Sequence, residues 1–163
     1  MSEKKSIQNA FQLSDTVLQS YLSDLSDDEL LTRPSAGCNH LAWQIGHLIS
    51  SEGMLLNMVK EGSSIPLPDG FAEAHDKSTT ESDDASQFLS KDEYLKLYQQ
   101  TRSNSIDVIS GMTDEQLDAE SPENFRSFCP DIRAMTMLIA THPMMHVGQF
   151  VPVRRALGKP ILM

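Results

Sequence analysis

The sequence is poor in basic residues and in long apolar runs. Of its 163 residues 13 are basic and 23 acidic, a net charge of −10, so we expect no clustered basic surface for phosphates and no nucleic-acid partner. The one tight basic pair, Arg154–Arg155, falls in the last turn of a predicted helix, where cations complement the helix dipole. No apolar run approaches the roughly 18 residues that cross a bilayer, and the first residues lack the apolar core of a signal peptide. We therefore predict no membrane partner and a cytoplasmic location.

Cysteine is scarce as well. Cys38 and Cys129 lie far apart in the sequence and show no C-x-x-C spacing. In a reducing cytoplasm free thiols are the expected state, and a disulfide is the less favoured alternative. Both precede predicted helices, where a thiol pKa can fall, but no neighbouring base supports a nucleophile.

Four long segments of the sequence carry the periodicity of an α-helix. In the first, one mostly apolar stripe recurs at alternating spacings of four and three residues: Ile7, Phe11, Ser14, Leu18, Tyr21 and Leu25. The other segments cover about residues 39–60, 91–112 and 130–157. No alternating strand pattern of useful length occurs in the sequence. We therefore predict an all-α bundle that forms a single domain over residues 1–163.

The connections between these segments differ in length. A polar stretch of residues 61–90 joins the second segment to the third, and its length suits a crossover along the bundle instead of a tight turn. The other two connections each begin with a capping box, Ser26 with Glu29 and Thr113 with Gln116. This repetition suggests two weakly related helix pairs.

Three histidines give the clearest chemical pattern. His142 and His146 are four residues apart, so on a helix they share a face with Cβ atoms roughly 5–6 Å apart, a spacing found in zinc sites. The same predicted stripe carries apolar neighbours and one amide: Met135, Leu138, Ile139, Met145, Gln149 and Val153. His47 lies on an equally apolar segment, one turn from Trp43, which we expect to be a core residue. Buried imidazoles need partners for their nitrogens, and a shared metal would supply one.

Other interpretations of these residues stay open. A histidine on an apolar face is often a hydrogen-bonded core residue, so the residues alone leave a metal site and a plain core equally open. Glu52 could be a fourth ligand, a general base or a rim residue, and Gln149 could orient a ligand or a bound water. His40 lies roughly 10 Å from His47 along a helix, which suits a surface or capping role. His75 falls in the polar connection, where we expect it to be solvated.

Two motifs resemble a known family. The segments RPSAGCNHLAWQIGHL (residues 33–48) and HPMMHVGQFVPVRRALG (residues 142–158) are similar to the DinB/YfiT family of metalloenzymes. In that family an R-P, G-x-N, W and G-H-L series leads into the second helix, and an H-x3-H-x-G-Q motif lies in the fourth. The resemblance implies a four-helix bundle of up-down-down-up topology, a homodimer, and a metal site carried onto His47, His142 and His146. It does not imply DNA polymerase activity.

The fourth predicted helix runs from Pro130, a favourable first-turn residue, to a stop at Gly158. It departs from the family pattern at Pro143, between the paired histidines. A proline inside a helix removes one backbone hydrogen bond, here to the carbonyl of Ile139, and tends to kink the helix. Pro152 repeats the effect. A kink could open a cleft around the metal or could simply follow the curvature of the bundle.

A site of three neutral nitrogen ligands has a definite chemistry. It leaves at least one coordination position open, as catalytic zinc sites do. Zinc or nickel is the favoured ion, with iron and cobalt as alternatives. Such an ion could lower the pKa of a bound water or thiol and deliver a nucleophile at neutral pH.

Relatives in the resembled family include thiol-dependent transferases and isomerases and proposed hydrolases. We therefore predict metal-assisted transfer of a low-molecular-weight thiol, or hydrolysis, on a small electrophile in detoxification or the stress response. The negative net charge disfavours a strongly anionic small-molecule substrate, although local charge can differ from net charge. Two alternatives stay open: a metal- or ligand-binding bundle without turnover, and a plain interaction bundle.

Overall fold

The computed structural model describes residues 3–162, which contain seven α-helices: α1 (Glu3–Leu22), α2 (Asp27–Leu30), α3 (Leu41–Val59), α4 (Phe71–Ala74), α5 (Lys91–Ser110), α6 (Asp114–Leu117) and α7 (Ile132–Ala156). Two 3₁₀ turns, Lys77–Thr79 and Ala85–Gln87, follow α4. The four long helices, α1, α3, α5 and α7, are those that the periodicity predicts. No strand forms in this part of the chain, and none of its helices has both the length and the apolar character to cross a membrane.

The four long helices pack into a bundle in which α1 and α3 each contact both α5 and α7. Buried side chains form two apolar clusters, one around the C-terminal half of α1 and the N-terminal half of α3, the other around their opposite halves. Both cysteines are free, as predicted. The predicted four-helix bundle is confirmed, whereas its up-down-down-up order and its single-domain extent stay predictions.

Helix α7 buries one stripe of residues at spacings of three and four: Ile132, Met135, Thr136, Ile139, Ala140, Pro143, His146, Val147, Phe150, Val153 and Arg154. His146 lies on this stripe, and His142 is half-buried beside it. Met145 and Gln149, which the predicted stripe included, are exposed, so that part of the prediction is wrong. Successive residues are rotated by about 100° around a helix. Because Met144 and Met145 are both apolar, the sequence alone did not show which side of the helix the buried stripe follows.

The ends of α7 show how side chains set helix boundaries. The predicted start at Pro130 is wrong by two residues, because the Asp131 carboxylate caps the helix by accepting a hydrogen bond from the Ala134 N–H at 2.7 Å. The predicted stop is confirmed: Gly158 has a φ of +70°. Its N–H donates to the carbonyl of Arg155 at 3.1 Å, as in the glycine-based caps that end many helices.

Arg154 does more than complement the helix dipole. Its side chain is fully buried, and it donates to the Tyr21 carbonyl at 2.8 Å and to the Asp24 carboxylate at 2.6 Å. A buried guanidinium is stable only when its donors find partners. The residue thus joins the C-terminal ends of α1 and α7, and the dipole argument holds only for its exposed neighbour Arg155.

The connection from α3 to α5 lies packed along the bundle. Arg33, in the loop before α3, donates to the carbonyls of Thr80 and Ser82 at 2.9 and 3.1 Å, and it pairs with Asp83 at 2.6 Å. The other two connections contain the predicted capping boxes before α2 and α6. The long connection is therefore fixed next to the N-terminal half of α3.

Candidate metal centre

Three histidine side chains converge between α3 and α7. His47 extends from α3, and His142 and His146 extend from α7. One nitrogen of each ring lies within 4.8 Å of a nitrogen of each of the others, and the ring centroids are 5.0 to 5.8 Å apart. The structure therefore brings together the three residues that the sequence singles out.

His47 is held by aromatic stacking. Its ring lies parallel to the indole of Trp43, with centroids 5.0 Å apart and an interplanar angle of 7°. The indole N–H donates to Thr79 Oγ1 at 3.1 Å, and Ser51 Oγ lies 3.2 Å from His47 Nε2. Trp43 is a core residue, as predicted. It also links the 3₁₀ turn of the long connection to the histidine cluster.

His146 is oriented by a buried amide. Gln44 Nε2 donates to the carbonyl of Asn39 at 2.8 Å, so its Oε1 is left to accept from His146 Nδ1–H at 3.1 Å. A neutral imidazole carries one proton, and Nε2 therefore keeps its lone pair. Gln149, predicted to orient a ligand, is exposed instead. Gln44 was not among the predicted site residues, although a polar residue three positions before His47, between the apolar residues Trp43 and Ile45, was a usable signal.

All three imidazoles are kept neutral by their surroundings. Burial, together with the two neighbouring histidines, lowers the pKa of His146 to about 3. Burial likewise lowers the pKa of His142 to about 4, helped by His47 and Arg102. The pKa of His47 is also lowered, chiefly by burial. Neutral imidazole is the form that binds metals.

The donor set fits a divalent transition metal. Zinc–nitrogen bonds are about 2.0–2.1 Å long, so nitrogens in a tetrahedral site stand about 3.3 Å apart. The present cluster spans at most 4.8 Å, and closing it requires ring movements of up to about 1.5 Å. Three neutral nitrogens suit zinc and nickel better than magnesium or calcium, which prefer oxygen ligands.

A cavity of about 380 Å³ opens beside His47. One wall comes from α3 and the other from the long connection, and together they comprise His47, Ser50, Ser51, Met54, Ala72, His75, Asp76 and Lys77. Sites for small ligands typically occupy about 300–1,000 Å³. The cluster therefore has space beside it for a small molecule.

Comparisons with known proteins identify the family of this chain. A model of the DinB superfamily matches residues 10–150. The chain belongs to the DinB superfamily. YfiT from Bacillus subtilis, described as a probable metal-dependent hydrolase with an unusual four-helix bundle topology, superposes with a TM-score of 0.67 at 17% identity, over 98% of this chain and 91% of its own. A conserved protein from Enterococcus faecalis gives 0.73 at 17% identity, over 98% and 99%. The search among curated proteins gave no match.

In this DinB superfamily member, the two histidines outside the cluster are structural. His75, predicted to be solvated, is buried; its ring nitrogens lie 2.7 Å from the Phe71 carbonyl and 2.6 Å from the Tyr94 hydroxyl. Its ring occupies the space beside Gly46, where a Cβ would lie 2.1 Å from it. His40 caps α3, as one predicted alternative held, but it is buried and not on the surface.

Glu52 forms an ion pair with Arg102 and does not join the histidine cluster of this DinB superfamily member. The carboxylate is buried and lies 3.0 Å from the guanidinium, so the predicted rim position is wrong. Arg102 Nη1 also donates to the carbonyl of Ile139 at 2.9 Å. That carbonyl is the one that Pro143 deprives of its helical partner. The guanidinium thus replaces the hydrogen bond lost one turn before His142.

Proposed function

We propose that His47, His142 and His146 hold a divalent metal ion, zinc or nickel by preference. The protein is then a metal-dependent enzyme that acts on a small electrophile, by transfer of a low-molecular-weight thiol or by hydrolysis. The observation that carries this proposal is the convergence of three neutral imidazole nitrogens within 4.8 Å beside a cavity of about 380 Å³. An ion held by three nitrogens supplies Lewis-acid chemistry that activates a water or a thiol at neutral pH.

The side chains around the cluster hold the histidine rings in position. Gln44 keeps the proton of His146 on Nδ1, so Nε2 would be the nitrogen that binds the ion, and outer hydrogen bonds of this kind set ligand orientation. Trp43 holds the plane of the His47 ring. The cavity of about 380 Å³ limits the size of a substrate that could lie next to the cluster.

Two lines of support favour an enzyme over a plain bundle. Family membership supports the metal, and YfiT, a structural neighbour, is described as a probable metal-dependent hydrolase. Thiol transfer rests on the resemblance to thiol-dependent relatives. The homodimer, the cytoplasmic location and the absence of a nucleic-acid partner stay predictions.

Elemental analysis of the untagged, purified protein tests the metal. We expect about one zinc or nickel ion per chain, lost in His47→Ala, His142→Ala and His146→Ala. His40→Asn is the matched control, because asparagine is a favourable helix cap and the residue lies outside the cluster. A wild-type protein that neither contains nor takes up either ion would refute the proposal, as would three alanine variants that retain it.

Turnover assays separate an enzyme from a binding module. The metal-loaded protein is incubated with thiols and a panel of small electrophiles, and with small esters and amides. Consumption that disappears in His146→Ala supports the proposed activity. Stoichiometric metal without consumption of any of these compounds would instead indicate a metal-binding bundle.

A further inference from the structure

Arg102, from α5, lies in the interior of the bundle, where only 2% of its surface is exposed. Its guanidinium carbon stands 4.1 Å from the centre of the Phe11 ring. Nε donates to the Asp15 carboxylate at 2.6 Å, and Nη2 donates to Ser14 Oγ at 2.8 Å. All three of these partners belong to α1, so the guanidinium is held in place by that helix.

The remaining nitrogen, Nη1, joins the two helices that carry the histidine cluster. It donates to the Glu52 carboxylate at 3.0 Å and to the carbonyl of Ile139 at 2.9 Å. Both bonds can form at once, because Nη1 carries two hydrogens. Glu52 lies five residues after His47 on α3, and Ile139 lies three residues before His142 on α7. One nitrogen thus links α3 to α7 within about 8 Å of the cluster along the helix axes.

The bond to α7 is made at a break in that helix. Pro143, between the two histidines of α7, has no N–H for the carbonyl of Ile139, and its ring crowds that carbonyl. The next carbonyl, of Ala140, accepts from Arg102 Nη2 at 3.2 Å and from Ser14 Oγ at 2.6 Å. Because helices bend at prolines, these bonds from α1 and α5 fix the direction of α7 where it carries its histidines.

We propose that Arg102 is a positioning residue of the metal site and that it holds His47 and His142 at the separation at which both bind one ion. The inference rests on the proposed metal-dependent function and adds a residue from outside the two ligand-bearing helices. Arginine suits this role because its planar fork serves several acceptors in fixed directions, whereas lysine carries its charge at one flexible point. Ligands must be held within about 0.5 Å of their binding geometry, so loss of the link should weaken metal binding.

Cobalt affinity measures this role, because the d–d absorption of bound Co²⁺ reports both binding and geometry. Arg102→Lys keeps the positive charge beside Glu52 but cannot also serve the carbonyls of α7. We expect this variant to bind cobalt about tenfold more weakly than the wild type, with a changed absorption spectrum. Each titration is made at a temperature at which circular dichroism shows the variant to be folded.

Pro143→Ala provides the rescue. Alanine returns an N–H to the carbonyl of Ile139, which then no longer depends on the guanidinium. In a double-mutant cycle we expect Arg102→Lys to weaken cobalt binding about tenfold in the wild-type background and about twofold at most in the Pro143→Ala background. A residue that only stabilises the fold would show no such coupling in cobalt affinity.

Arg154→Lys is the matched control. Arg154 is also a fully buried guanidinium of α7, and it bonds to the C-terminal end of α1. It lies eight residues beyond His146, roughly 12 Å along the helix axis. We expect its replacement to lower the melting temperature and to leave cobalt affinity unchanged.

Glu52→Gln tests the other half of the link. The amide oxygen still accepts from Nη1, but the bond loses its negative partner and is weaker. We expect a smaller loss of cobalt affinity than in Arg102→Lys. Pro143→Ala should not recover this loss, because the weakened contact is with α3 and not with α7.

The outcomes are distinguishable. Wild-type cobalt affinity in Arg102→Lys, or a loss there that Pro143→Ala does not reduce, would overturn the role of Arg102 and leave the metal site intact. Should Arg102→Lys not fold, Glu52→Gln decides: weaker cobalt binding supports the role, and unchanged binding overturns it. Failure of the wild type to bind cobalt, zinc or nickel would overturn the proposed function, and this inference with it.

Discussion

Replacing Gln44 by leucine tests how the protein presents His146 to a metal. The amide is buried, with 1% of its surface exposed, and it bridges His146 Nδ1 and the Asn39 carbonyl. Leucine is of similar size but leaves the buried His146 nitrogen unpaired, at a cost of about 1–3 kcal/mol in folding free energy. The loss at the carbonyl of Asn39 is smaller because that residue is half-buried. It also frees the imidazole to adopt the other tautomer, with its proton on Nε2.

The expected effect on metal binding follows from the role of such outer partners. Their removal typically lowers affinity 10- to 100-fold, or about 1.4–2.8 kcal/mol. Zinc affinity is measured by competition with a chromophoric chelator. The tautomer is read in the metal-free protein by ¹⁵N NMR of the ring nitrogens, where we expect the wild-type His146 proton on Nδ1. Gln44→Glu keeps the acceptor and should restore affinity to at least the wild-type value.

Gln149→Leu is the matched control for this experiment. Gln149 lies on the same helix as His146, three residues further on, but it is exposed. We expect its replacement to leave zinc affinity and the tautomer unchanged. Equal affinities for Gln44→Leu and Gln149→Leu, or a wild-type proton on Nε2, would refute the assignment.

Three further predictions concern stability. In the metal-free protein the His146 pKa of about 3 lies below its ordinary 6.5, so the unfolded chain binds this proton first. Below about pH 6.5 His146 alone should lower the unfolding free energy by up to ~1.4 kcal/mol per pH unit, and His146→Gln should reduce the slope measured in urea titrations by that share, while the other histidines with lowered pKa values keep theirs. Gly46→Ala places a Cβ 2.1 Å from the His75 ring and should lower the unfolding free energy by about 1–3 kcal/mol. Gly148→Ala is the matched control, since its Cβ has nothing within 4 Å, and it should raise the unfolding free energy by up to about 1 kcal/mol in the same urea titration. Arg102→Met strips the partner from a buried carboxylate and should cost about 3–5 kcal/mol in calorimetry; a loss below about 1 kcal/mol would contradict this.

The fold was largely predictable from the sequence because helix burial repeats locally. The stripe from Ile7 to Leu25 and the capping box at Ser26 involve residues within one or two turns of each other, and both occur as expected. The same local argument places His142 and His146 on one face of α7. Their approach to His47 is a contact between two helices, and it was the resemblance to a family that favoured it.

The partners of the cluster could not be predicted in the same way. Gln44 and Gln149 each lie three residues from a cluster histidine, and only the rotation of α3 and α7 about their axes decides which amide is buried. That rotation depends on side chains across the whole bundle. Pro143 shows the same limit: its missing hydrogen bond was predictable, but the guanidinium of Arg102 that replaces it comes from α5.

The long connection was the least predictable part, although it forms one wall of the cavity beside His47. Its polar composition suggested solvated residues, yet composition does not distinguish a side chain bonded to water from one bonded to another part of the chain. His75 and Thr79 are of the second kind. Their bonds fix the segment beside α3, where it forms one wall of the cavity next to His47. Helical periodicity carries no information about such a wall, because only tertiary contacts place it.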